Sequence, residues 1–167
     1  MSDIKKIAVI GAGTMGSGIA LTAAINGFDA YQIDVAESQL DSARKSHTKI
    51  LSRNVEKGRM QQAEADAAQN RIQYVTSMAD AKDADWAIEA VFENAELKKK
   101  LFTEMNETFR KNIVLASNTS SISITDIATA VGEDAHRVIG MHFFNPVPVM
   151  KLVEVIKGLD TSDETTE

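Results

Sequence analysis

The sequence predicts an α/β fold, a doubly wound and mostly parallel sheet with helices on both faces. Three observations predict it. Short apolar, β-branched runs alternate with segments of helical period along nearly the whole chain. Several of those runs are apolar almost throughout, as strands covered on both faces must be. Only nine residues separate the last two runs, too few for a parallel return, so the sheet ends in an antiparallel pair.

The elements follow in order. A first strand at 7–10 runs into a glycine-rich loop and a small-residue helix at 14–26, closed by Gly27 as a left-handed cap. A second strand at 30–34 leads to a helix at 37–57, which sets Leu40, Ala43, Ile50, Leu51 and Val55 near one face. An alanine-rich helix at 61–69 returns antiparallel to it, so a helical hairpin is inserted after the second strand. Strands at 72–75 and 86–91 follow. Asn94 caps a helix that carries Leu97, Leu101, Phe102, Met105 and Phe109 inward. A strand at 113–117 and a short helix at 123–131, stopped before Gly132, precede the final strands at 138–142 and 152–156. Pro146 and Pro148 stiffen the connection between those two.

Composition sets limits. At about 100–200 residues per domain, 167 residues make one domain and a fragment of another. With 18 Lys and Arg against 24 Asp and Glu, the net charge of −6 argues against a nucleic-acid partner, which needs an excess of cations. The chain has no cysteine, which rules out disulfides, thiolate catalysis and cysteine-bound metals and suits a cytoplasmic location. No apolar run approaches the ~20 residues needed to cross a bilayer, so no membrane partner is expected. The first residues pass directly into the first strand, with no secretory or transit leader in view.

The loop Gly11-Ala-Gly13-Thr14-Met15-Gly16 has a strand before it and a helix after it, as a dinucleotide-binding G-x-G-x-x-G requires. Gly11 permits the tight turn, Gly13 lets the backbone approach a diphosphate, and Gly16 lets helix and strand pack closely. The diphosphate would rest on the free N–H groups of the helix N-terminus. Asp34 ends the second strand about 20 residues on, where a carboxylate holds two ribose hydroxyls and repels a 2′-phosphate. The pattern therefore predicts a Rossmann-like domain that prefers NAD to NADP. The competing reading is a glycine turn that packs a helix on a sheet and binds nothing.

Among the three histidines, His47 reads as a packed, hydrogen-bonded core residue and His136 as a solvated one. His142 ends a buried-looking strand and opens His142-Phe-Phe-Asn145-Pro-Val-Pro148. Glu154 interrupts the apolar run Leu-Val-Glu-Val-Ile and, if buried, needs a partner. In an antiparallel pair the two can face each other, and a carboxylate on one ring nitrogen raises the basicity of the other, which suits a general base. The alternatives are a structural ion pair or a Glu154 that simply faces water. Ser117-Asn118-Thr119-Ser120-Ser121 follows the fifth strand, where ligands of open parallel sheets bind, although such clusters are also ordinary caps and loops. Glu89 lies inside an apolar run and should meet a backbone or cationic partner, and Glu93 follows it. Lysines 98–100 read as a solvated helix face.

On these residues the sequence resembles the N-terminal NAD-binding domain of the L-3-hydroxyacyl-CoA dehydrogenase family, 3-hydroxybutyryl-CoA dehydrogenases included. The likeness runs from about residue 6 to 165. Its most specific stretches are Ile10-Gly-Ala-Gly-Thr-Met-Gly-Ser-Gly-Ile19, Ala116-Ser-Asn-Thr-Ser-Ser121 and Gly140-Met-His-Phe-Phe-Asn-Pro-Val-Pro-Val-Met-Lys-Leu-Val-Glu-Val155. The resemblance implies His142 as catalytic base, Glu154 as its partner, Ser120 as the hydroxyl on the substrate oxygen and Asn145 as the asparagine of a His-x-x-Asn signature. It implies Glu93, Lys98 and Asn118 as cofactor-side contacts, and Arg53 and Lys57 as candidates for the phosphates of an acyl-CoA. The implied reaction is reversible oxidation of L-3-hydroxyacyl-CoA with NAD, within fatty-acid and butanoate metabolism. Two alternatives stand beside it: an NAD-holding module with little turnover, and a relative acting on a free hydroxy acid or sugar acid.

Family members continue into a helical C-terminal domain that closes the cleft, adds a catalytic asparagine and forms most of the dimer. The expected division is therefore a dinucleotide-binding domain at 1–158 and an acidic tail at 159–167. In that tail Thr161-Ser-Asp-Glu164 reads as a capping box at the truncated start of the missing domain.

Overall fold

The computed structural model describes residues 4–167. Residues 1–3, with which the expected domain begins, lie outside the described residues. Among the described residues, seven strands form one sheet in the order β3-β2-β1-β4-β5-β6-β7. They are β1 (Lys6–Ile10), β2 (Asp29–Ile33), β3 (Ile72–Val75), β4 (Trp86–Glu89), β5 (Val114–Ser117), β6 (Val138–Phe143) and β7 (Val153–Lys157). All pairings are parallel except β6 with β7. The helices are α1 (Thr14–Ile25), α2 (Glu37–Glu56), α3 (Gln62–Asn70), α4 (Ala95–Thr108), α5 (Ile124–Ala128) and α6 (Asp163–Thr166).

The near-continuous apolar strands are explained by burial on both faces. Ala8, Ile10, Tyr31, Ile33, Ala87 and Leu115 pack on one side with Phe102, Met105 and Phe109 of the α4 region. Val9, Ala30, Ile88, Ala116 and Ile139 pack on the other with Ile19, Ala20, Leu21 and Ala24 of α1 and with Leu51, Ala65 and Ala68 of the α2–α3 hairpin. The order reverses direction between β1 and β4, and the crevice beyond the carboxyl ends of the strands opens there.

Several expectations are corrected. The strand expected at 86–91 stops at Glu89, because the Glu89 carboxylate accepts the Val91 N–H at 2.7 Å and turns the chain out of the sheet. The helix expected at 123–131 stops at Ala128 and passes into 3-10 turns over Thr129–Arg137, broken where Gly132 takes φ +57°. Leu97 is exposed rather than inward, since α4 turns Lys98 into the core beside it. In the tail the cap is Ser162, whose hydroxyl accepts the Thr165 N–H at 3.1 Å. Thr161 instead donates to the Val138 carbonyl and accepts the Gly158 N–H, tying the tail back to β6. The last strand is no buried run: β7 is the sheet edge and most of it is exposed, Val155 and Ile156 included. No helix among the described residues is long and apolar enough to cross a membrane.

Candidate active site

The site begins at the glycine loop. Gly11 takes φ +103°, and a Cβ there would stand 2.6 Å from the Ala90 carbonyl oxygen. A Cβ on Gly16 would lie 1.9 Å from the Gly11 carbonyl oxygen, so helix and loop can close only on glycine. At Gly13 a Cβ would meet nothing within 4 Å, which leaves this backbone open to a ligand. The Gln32 amide braces the loop from beneath, donating to the Gly11 carbonyl at 2.8 Å. Asp34 sits just past β2 rather than in it. Its Oδ2 accepts the Ala12 N–H at 2.9 Å and its Oδ1 the Ala36 N–H at 3.0 Å. Those bonds fix the carboxylate while each oxygen keeps a free lone pair. An open amide loop, a helix N-terminus and an oriented acid together fit an adenine dinucleotide.

The end of β6 supplies the titratable pair. His142 is directly opposite Glu154 in the β6–β7 register, with Nδ1 2.8 Å from Oε2. A carboxylate only accepts, so Nδ1 carries the hydrogen and Nε2 is left as the basic nitrogen. The ring is 21 % exposed and rests on Phe144, with centroids 4.6 Å apart. Glu154 itself is 52 % exposed, so the burial argument for its partner does not apply. On a largely exposed edge strand, the carboxylate is placed by cross-strand register instead.

Between these parts lies a network of buried charge. Glu89 is fully buried. Its Oε1 accepts from the Val91 N–H and from Lys98 Nζ at 2.5 Å, and its Oε2 accepts from the Ser117 hydroxyl at 2.7 Å. Lys98, expected on a solvated face, is 1 % exposed because it fills this network, and it also reaches Glu93 at 3.4 Å. Glu93 accepts from the Thr119 hydroxyl, from the Ser120 and Ser121 N–H groups at 3.0 and 3.2 Å, and from the Ser121 hydroxyl at 3.1 Å. Partial burial raises its pKa, but the Thr119 bond, the Lys98 charge and the Ser120 N–H outweigh that and bring it down to about 2. Asn118 accepts the Phe143 N–H at 2.9 Å and so ties the loop after β5 to the end of β6. Ser120 is exposed at the same rim.

Asn145, Pro146 and Val147 join Gly13, Thr14, Ser17 and Gly18 of the loop and α1 in lining a cavity of about 370 Å³, closed on the far side by Ser42, Ser46 and Ile50 of α2. Met15, beside Thr14, is half-buried against the α1-side core. Arg53 and Lys57 are not brought to this cavity; they are exposed at the far end of α2. Sequence reasoning missed Gly18, whose absent Cβ would stand 2.9 Å from Val147 Cβ, and the α2 residues that face it. The fourth glycine of the Gly11-to-Gly18 run was the only available signal. His47 is buried as expected. Its Nε2 donates to the Ser17 carbonyl at 2.9 Å and its Nδ1 accepts from the Tyr74 hydroxyl at 2.7 Å. His136 is exposed.

Fold and loop define a doubly wound, dinucleotide-binding α/β domain with a histidine–carboxylate pair at its rim. The chain belongs to the 3-hydroxyacyl-CoA dehydrogenase NAD-binding domain family, whose model matches residues 6–167. It is 48 % identical over 163 residues to a probable 3-hydroxybutyryl-CoA dehydrogenase of Bacillus subtilis, covering 98 % of this chain and 56 % of that protein. The crystal structure of 3-hydroxybutyryl-CoA dehydrogenase from Escherichia coli K12 superimposes with a TM-score of 0.95 at 40 % identity, over 98 % of this chain and 34 % of that one. The (S)-3-hydroxybutyryl-CoA dehydrogenase of Ralstonia eutropha gives 0.94 at 42 %, over 98 % and 57 %. The chain thus spans little more than half the length of the Bacillus relative.

Proposed function

We propose that this chain is the cofactor-holding and catalytic-base part of an NAD-dependent L-3-hydroxyacyl-CoA dehydrogenase, interconverting L-3-hydroxyacyl-CoA and 3-oxoacyl-CoA. The observation that carries the reading is the 2.8 Å His142–Glu154 pair beside the loop that holds Asn145. Bound NAD supplies hydride acceptance and donation. The amides of residues 11–16 hold the diphosphate, and Asp34 takes the ribose hydroxyls and disfavours NADP by charge. His142 Nε2 takes the 3-hydroxyl proton, and Glu154 stabilises the imidazolium that forms. Ser120 donates to the substrate oxygen as it becomes a carbonyl, and Asn145 lies on the nicotinamide side with Glu93 and Asn118, while Lys98, buried against Glu89, acts on the coenzyme only through Glu93. Arg53 and Lys57 are the cations available to CoA phosphates that extend past α2. In this reading the cofactor domain is 1–158, and 159–167, though tied back to β6 through Thr161, leads toward a helical domain of the kind through which full-length members of the family dimerise. A cytoplasmic location is part of this reading.

The test is NADH oxidation with acetoacetyl-CoA in single turnover, with protein in excess. His142→Gln is expected to keep NADH affinity and to slow oxidation by roughly 10²- to 10⁴-fold. Unchanged turnover would remove His142 from the mechanism. The half-exposed Glu154 and the exposed apolar edge at Leu152 and Val155 favour one second reading, a module that holds NAD but turns over little by itself. Free acetoacetate in place of the thioester separates both from a hydroxy-acid enzyme.

A further inference from the structure

We propose that the Glu89–Lys98–Glu93 triad sets the redox poise of the bound coenzyme: its one uncompensated negative charge favours the oxidised, cationic nicotinamide over the neutral reduced ring. The inference rests on the NAD reading above. One ammonium stands between two carboxylates, 2.5 Å from Glu89 and 3.4 Å from Glu93. The short contact is wholly buried, so Lys98 is spent on Glu89. Glu93 is 38 % exposed and turns the remaining charge to the rim. Four donors from Thr119, Ser120 and Ser121 keep it ionised, and its pKa of about 2 agrees. Lys99, next along α4, is paired with Asp126 and adds no net charge.

Sheet order places that charge at one end of the coenzyme. With the diphosphate on the loop after β1 and the adenosine ribose at Asp34 beyond β2, the other half must run the opposite way, over β4 and β5. Glu93 and the loop it holds cap those two strands. The oxidised and reduced coenzymes share diphosphate and adenosine and differ in charge only at the nicotinamide. A charge at that end therefore changes the ratio of their affinities. Coulomb's law at a dielectric between protein and water gives a preference of roughly three- to tenfold. For a two-electron couple this lowers the bound potential by roughly 14–30 mV and makes the held reduced coenzyme a stronger hydride donor.

The experiment is calorimetric titration of the chain with NAD⁺ and with NADH. Glu93→Gln is expected to raise the ratio Kd(NAD⁺)/Kd(NADH) by roughly three- to tenfold, by weakening NAD⁺ more than NADH. Glu93→Ser, a second neutral variant with no amide among the donors, is expected to follow it. Glu93→Asp keeps the charge and is expected to hold the ratio of the unsubstituted chain, whatever happens to each affinity. A ratio unmoved in the neutral variants, or moved equally in Glu93→Asp, overturns the proposal. Failure of the unsubstituted chain to bind either coenzyme overturns the NAD reading, and the poise with it.

Discussion

Gly16 shows how little freedom single residues have around the loop. A methyl group there would sit 1.9 Å from the Gly11 carbonyl oxygen, backbone that cannot swing aside. Gly16→Ala should cost about 1–3 kcal/mol or more by overpacking and weaken NADH binding, read as a lower denaturation midpoint and a higher Kd. His47 acts at the same scale but through protons. Burial lowers its pKa from the ordinary 6.5, and the Ser17 bond offsets this only partly. A neutral native histidine contributes stability that is full above pH 6.5 and is lost as pH falls through the lowered folded value. The urea midpoint should therefore drop as pH falls below 6.5, and His47→Gln should remove that part of the slope. Glu93 titrates in a separate window: its depressed pKa gives stability present above 4.5 and lost as pH falls toward about 2.

At the scale of elements, β4, β5 and α4 are joined by charge as well as by apolar packing. Glu89 comes from the end of β4, Ser117 from the end of β5 and Lys98 from the first turns of α4. Lys98→Met would leave the Glu89 carboxylate buried without its cation, and breaking such a pair from one side costs about 3–5 kcal/mol. Adding Glu89→Gln should recover part of the loss, because no buried charge then remains. Equal denaturation midpoints for the single variant and the unsubstituted chain would show that the pair contributes nothing. The β6–β7 hairpin is organised differently. Its register sets His142 opposite Glu154, while Val147 docks on α1 at Gly18 and carries Asn145 to the cofactor helix.

Taken whole, the described residues form a sheet covered on both faces and open along its β7 edge. Both helical layers are closed around the core, yet β7 ends the sheet with Leu152, Val155 and Leu159 exposed, and the chain spans 56 % of its Bacillus relative. On the proposed reading NADH lies on the covered part of the sheet, whereas an acyl thioester at His142 would lie over the open β7 edge. The chain should bind NADH and oxidise it with acetoacetyl-CoA only slowly, and steady-state turnover at the usual enzymic rate of about 10 s⁻¹ would contradict this.

The residues alone made the parallel sheet, the antiparallel ending, the glycine loop, Asp34 and the buried His47 legible. These depend on signals of short range: period along a strand or helix, the chemistry of a turn, and the nine residues that forbid a parallel return. Folding was needed to turn Lys98 from a solvated face into the centre of a buried network, to leave Glu154 half-exposed on an edge, to keep Arg53 and Lys57 away from the cavity, and to press Val147 onto Gly18. Each of those outcomes depends on which elements become neighbours across the sheet. Local pattern does not encode that, because a lysine on a helix face reads the same whether water or a buried carboxylate waits opposite it.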